Sequence, residues 1–243
     1  RVDRIKRQMF PQGCAPKTIP DGVLSRRSLV LGGAVAAIMT MLVTAVLAGA
    51  LHRPLLPWFA AGSLLLFLTY SFPPLQLNYR GGGELLEMAG VGVLLPWLHL
   101  YLQSGELLSG ALWCLPGLAM TSAASAMASG LSDEESDVAG GKRTFVTVFG
   151  NAAARRAVEL ALLSSCVYWA LLTRMIPALL PWWVAAPLVV LTILHWRGIR
   201  RCSSSARTNA FQAQRRYKAL LHRGIWSGGL VLSLGFALKG LLS

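Results

Sequence analysis

Apolar residues gather in seven runs along the chain, at roughly 28–50, 54–71, 85–103, 107–129, 152–173, 177–196 and 224–242, separated by polar stretches. Each run is close to the ~20 residues that a helix needs to cross the hydrocarbon core. Inside lipid a strand or loop would leave backbone N–H and C=O groups without partners, so the runs predict helices. Pro54, Pro57, Pro177 and Pro181 stand near run starts, where a missing backbone donor costs nothing. The pattern predicts an all-α, multi-pass integral membrane protein with seven transmembrane helices and no internal repeat. The stretch 197–223, basic and Ser-rich around RCSSSART, breaks the apolar pattern. It reads as a solvated, partly mobile loop near lipid headgroups.

Composition sharpens this picture. Of 243 residues, 54% are hydrophobic and 14% charged, against about a quarter charged in a globular domain. A net charge of +13 would suit a nucleic-acid binder, but its placement argues for no nucleic acid. Lys and Arg fall between the apolar runs. Twenty lie on the side of the N-terminal stretch and the second, fourth and sixth connections; Arg53, Arg174 and Lys239 lie on the other. That asymmetry puts the N-terminal stretch and the long connections in the cytoplasm, with a site opening there. Cys14, Cys114, Cys166 and Cys202 lack paired spacing, so neither a zinc site nor a disulfide framework is expected. His52, His99, His195 and His222 are isolated and are expected to pack or sit at the interface rather than bind metal. Trp182 and Trp183 read as part of an aromatic belt.

Candidate chemistry concentrates in LSDEESDVAGGKRTFVTVFG, residues 131–150. Asp133, Glu134, Glu135 and Asp137 are four of the chain's ten acids. Asp133 and Asp137, spaced i and i+4, share one helix face. Carboxylates so placed suit Mg2+ with open positions for phosphate, and Lys142 and Arg143 offer cationic donors to that phosphate. A second stretch, YSFPPLQLNYRGGGELLE at 70–87, sets Tyr70 and Tyr79 around a stiff double proline. Arg80 there precedes three glycines whose backbone donors suit an anion. Glu84 and Glu87, near the start of a membrane helix, are costly at that depth and point to function. A third stretch, KTIPDGVLSRRS at 17–28, offers Ser25 as a helix cap and Lys17 as a weaker phosphate contact. Trp97, Tyr101 and Trp113 either line an apolar cavity or face lipid.

These stretches, in this order and spacing, resemble the UbiA superfamily of intramembrane aromatic prenyltransferases. Residues 131–150 are similar to that family's second aspartate-rich motif, carried here by Asp133, Asp137, Gly141, Lys142, Arg143, Thr144 and Gly150. Residues 70–84 are close to the branch that prenylates 1,4-dihydroxy-2-naphthoate toward menaquinone. Lys17 to Ser25 is similar to the loop after the first aspartate-rich motif, with Lys17 where arginine is usual. At Ser129 and Gly130 the chain departs from the naphthoate branch, which usually has asparagine just before the second motif. The family fold has nine membrane helices around a central cavity, and the seven runs correspond to its third through ninth. The resemblance implies a single prenyltransferase domain over 1–243 without the family's first two helices, with Asp3 as the last acid of the first motif.

What the resemblance implies about function is Mg2+-dependent transfer of a polyprenyl group from its diphosphate to an aromatic acid, in a bacterial inner membrane. Asp133 and Asp137, with Asp3, would hold the metal. Lys142, Arg143, Arg80 and Lys17 would hold the diphosphate, and Tyr70, Tyr79, Glu84 and Tyr101 would line the substrate cavity. The partners implied are polyprenyl diphosphate, the acceptor and membrane lipid. Other readings stay open on sequence: another acceptor such as 4-hydroxybenzoate, a non-catalytic prenyl-lipid binder, or a transporter. A transporter would break its helices near mid-membrane, whereas the acids here gather at helix ends on one side.

Overall fold

The computed structural model describes residues 2–11 and 18–242. These form α1 (Val2–Met9), α2 (Arg26–Ala50), α3 (Leu56–Ser71), α4 (Gly83–Ser104), α5 (Gly110–Ser132), α6 (Glu134–Ala139), α7 (Phe145–Phe149), α8 (Asn151–Met175), α9 (Trp182–Ser203) and α10 (Phe211–Leu242), with a single helical turn at Leu77–Arg80. No strand occurs among the described residues; one isolated β-bridge pairs Arg80 with Arg143. Six helices are long and apolar enough to span a membrane, and α3, at 16 residues, is apolar but shorter. All seven apolar runs are therefore helical, and the protein is an all-α integral membrane protein.

Local chemistry sets the ends. The Ser25 hydroxyl accepts from the Ser28 N–H at 3.0 Å and caps α2, as its sequence predicts. In α4, Gly90–Leu94 widen into a π-helical turn just ahead of Pro96, which has no N–H to continue an α-helical ladder. Gly92 lies in that turn, and a Cβ there would stand 2.7 Å from the Ala119 Cα, so α4 and α5 meet backbone to backbone.

Two boundaries differ from the apolar pattern. Pro181, with extended backbone, precedes the first turn of α9, so residues 177–181 stay outside the helix. The predicted loop at 197–223 is mostly helix: α9 runs on to Ser203 and α10 starts at Phe211. Gln214, Tyr217 and Leu221 are fully buried at helical spacing, while Arg215, Arg216 and Arg223 are exposed on the other side. A stripe of this kind stabilises a helix without raising its mean hydropathy.

The core has a cluster at the end that carries the acids, with Ala124, Leu131, Val158, Ile199, Tyr217 and Leu221. A second cluster, around Trp169, Leu180, Val184, Leu188 and Leu232, fills the other end. A third, Leu56, Phe59 and Tyr101, joins α3 to α4. In contrast, α2 has no buried side chain and packs chiefly on α3. Lys239 donates to the Ala178 carbonyl, so the end of α10 meets the connection before α9.

Candidate functional site

At its C-terminal end α5 closes in a 3-10 turn at Gly130–Ser132 and the chain enters α6. The Asp137 N–H donates to the Asp133 carbonyl at 2.7 Å, which places the two aspartates one turn apart. Their acidic neighbours have other work. Glu134 accepts from the Asn151 N–H at 3.2 Å and from the Thr208 hydroxyl at 2.5 Å, bracing α6 against α8 and the 204–210 connection. Glu135 is exposed. Asp133 pairs with Lys6 of α1, whose amine also donates to the Ser132 carbonyl at 2.7 Å. Asp137 is 1% exposed, and neither of its oxygens accepts a hydrogen bond. Its nearest cation is the Lys142 amine, 3.3 Å away. Burial pushes the Asp137 carboxyl above the ordinary carboxylate range; Lys142 pulls it back and Asp133 pushes it further up.

The next turn is built against these acids. The Lys142 N–H donates to the Asp137 carbonyl at 2.8 Å, and the Arg143 N–H to the Tyr79 carbonyl at 2.8 Å. The Lys142 amine lies 5.8 Å over the Tyr79 ring. Thr144 and Thr147 form a capping box on α7, and Glu84 accepts from the Phe145 N–H at 2.7 Å. Tyr70, Glu84, Glu87, Asp133 and Lys142 thereby line one small polar pocket of about 50 Å³. Glu87 also lines a cavity of about 290 Å³ with Ser125, His222 and Trp226. Val91, Leu118, Thr121, Ile225 and Trp226 continue from there into an apolar cavity, also about 290 Å³, that reaches Trp169 and Leu232. Beside Asp133, Lys6 and Ser132 line a further cavity of about 360 Å³ with Arg215, Lys218 and His222.

A profile of the UbiA prenyltransferase family matches residues 13–222. The chain belongs to the UbiA prenyltransferase family. It is thus a multi-pass membrane prenyltransferase, of a family whose general reaction is prenyl transfer to an aromatic acceptor. No curated protein and no solved structure matches the chain.

In this UbiA-family chain the predicted residues divide into groups. Asp133, Asp137, Lys142, Tyr70, Tyr79 and Glu84 come together. Arg80 and Arg143 are adjacent to each other but line a separate groove, on the other side of Glu84 and Thr144. Tyr101 is remote from the acids: its ring stacks on Phe59, centroids 5.6 Å apart, and its hydroxyl accepts from the Leu55 N–H at 3.2 Å. Asp3 lies on an exposed face of α1, which packs on α6. Lys17 and Cys14 fall outside the described residues. Cys114, Cys166 and Cys202 are free thiols.

Among the described residues no three His, Cys, Asp or Glu side chains converge as a metal site. Two carboxylates one turn apart remain, one of them buried with the Lys142 amine as its ion-pair partner at 3.3 Å. That donor set suits a hard divalent ion that takes one or two carboxylates and completes its shell with phosphate and water. Sequence reasoning did not single out Lys6, Arg215, Lys218 or His222 for the site. The spacing of 215, 218 and 222 along one helix face was the available signal, and reading the stretch as a loop hid it.

Proposed function

We propose that this UbiA-family protein transfers a polyprenyl group from polyprenyl diphosphate to 1,4-dihydroxy-2-naphthoate, serving menaquinone synthesis at the cytoplasmic face of a bacterial inner membrane. The observation that supports it most is the continuity at Glu87, where the pocket of Asp133 and Lys142 adjoins apolar space inside the bundle. An isoprenoid diphosphate has that polarity: one end highly charged, the rest hydrocarbon. The choice of acceptor rests on the 70–84 stretch, and the cations Lys6, Arg215 and Lys218 beside Asp133 suit an acid's carboxylate.

In the reaction the allylic carbon–oxygen bond breaks and its electron pair leaves with the diphosphate. A ring carbon of the acceptor then bonds to the allyl cation and the ring loses a proton. Lys142 meets the charge that grows on the leaving group. Asp133 and Asp137 would hold Mg2+, which when bound offsets diphosphate charge as a Lewis acid. The Tyr70 and Tyr79 rings flank the charged end of this path and offer π faces to the allyl cation. Glu87, facing both the polar pocket and the cavity beyond, is placed to take the ring proton. The apolar walls keep water from the cation.

The test incubates membranes carrying the protein with labelled polyprenyl diphosphate and either 1,4-dihydroxy-2-naphthoate or 4-hydroxybenzoate, with Mg2+ or with chelator. Prenylated naphthoate should form only with Mg2+, and Asp133→Asn and Asp137→Asn should each lower the rate by about 10²-fold or more. Product from 4-hydroxybenzoate alone would remove the acceptor assignment. Undiminished rates in both variants would remove the metal assignment.

A further inference from the structure

The backbone pairing of Arg80 with Arg143 sets two cations side by side at the inner membrane edge. Directly paired residues stand about 5 Å apart, and like charges in that relation repel. Both side chains are exposed, and among the described residues neither guanidinium has an ion-pair or hydrogen-bond partner. The one acid in their groove, Glu84, directs Oε1 to the Phe145 N–H. Two guanidiniums thus share the groove with a single carboxylate that is ion-paired to neither, which leaves it a net positive charge.

Beyond the arginines the groove is apolar. It runs between α4 and α7 over α5, has a volume of about 510 Å³, and is walled by Leu85, Met88, Met127, Val148 and Phe149. Leu85 is 65% exposed and Phe149 62%, so the wall faces the surrounding bilayer rather than the bundle interior. A cationic mouth above an apolar, lipid-facing wall matches an amphiphile with a phosphate head. Which amphiphile is decided by charge. Asp133, Asp137 and Lys142 do not line this groove, so it has no carboxylate pair to hold a divalent ion beside a diphosphate. A phosphodiester carries one negative charge and needs only the guanidinium fork.

We propose that this groove binds an anionic phospholipid, with its phosphate between Arg80 and Arg143 and an acyl chain along Leu85, Met88 and Phe149. The bound lipid offsets the repulsion between the arginines and so steadies the 79–83 turn, whose Tyr79 stands under Lys142. This site is independent of the proposed acceptor and metal, and its failure would leave them untouched.

The experiment reconstitutes the protein in phosphatidylcholine nanodiscs doped with phosphatidylglycerol and counts retained lipids by native mass spectrometry after release into detergent. The unaltered protein should keep one phosphatidylglycerol preferentially. The double variant Arg80→Gln/Arg143→Gln should keep at least tenfold less, and Arg80→Lys/Arg143→Lys an intermediate amount, because charge survives without the fork. Arg26→Gln/Arg27→Gln, which removes equal charge at the same membrane edge, should retain lipid normally. Equal loss in that control, or no loss in the glutamine variant, would overturn the proposal. So would one-for-one displacement of phosphatidylglycerol by polyprenyl diphosphate, which would make the groove a substrate site.

Discussion

Asp137 shows how a residue of the candidate site can oppose stability. Its buried carboxylate has one cation beside it, the Lys142 amine at 3.3 Å, and burial outweighs that partner and raises its pKa. The folded state thus binds this proton more tightly than the unfolded state does. Stability is favoured at low pH and declines as pH climbs from the ordinary carboxylate range through the raised value. Asp137→Asn keeps the shape without the titration. In detergent without divalent ions, its melting temperature should vary less over that window and exceed the wild type's at neutral pH. An unchanged pH profile would show that another group is responsible. The amide nitrogen of Gln214 works the other way, although its Oε1 lacks a hydrogen-bond partner. Fully buried, it donates to the Leu131 and Arg207 carbonyls, both at 2.8 Å, tying α10 to the end of α5. Gln214→Ala leaves those acceptors unmet and should cost about 1–3 kcal/mol in chemical denaturation.

At the scale of elements, the apolar runs revealed the membrane helices because burial in lipid demands an unbroken apolar surface. They did not reveal where α10 begins, because Phe211–Arg223 is helical through a narrow buried stripe under a basic face. Limited trypsin digestion of permeabilised membranes checks this. Cleavage should occur after Arg207, in the short connection, well before Arg215 or Arg216, which stand in helix; the order would reverse for a loop over 197–223. The geometry of the candidate site was legible to the same extent. The i, i+4 relation of Asp133 and Asp137, and Lys142 five positions on, are local and follow from helix geometry. The separation of Lys142 from Arg143 is not local. Adjacent residues in an extended turn point to opposite sides, and only the packing of 79–83 against 142–145 decides what each side meets. Lys6 comes from over a hundred residues away, and no spacing rule reaches it.

For the whole molecule, seven helices alternating in direction put the connections at 51–55, 105–109 and 176–181 opposite the acids, in keeping with the sparse Lys and Arg there. With native cysteines replaced by serine, a thiol at Ser205→Cys should react with an impermeant maleimide only in inverted vesicles. One at Glu106→Cys should react only in intact cells. The reverse result would invert the topology and move the acids to the far side. At the protected end, α1 is fastened across the acids by an ion pair from Lys6 to Asp133 and an edge-to-face contact of Phe10 with Phe211 at 5.0 Å. Under the proposed metal assignment, a divalent ion would compete with that ammonium for the same oxygen. Loading the proposed centre would then be an exchange of counterions, and the peripheral helix, released from its electrostatic tether, would report whether the centre is charged.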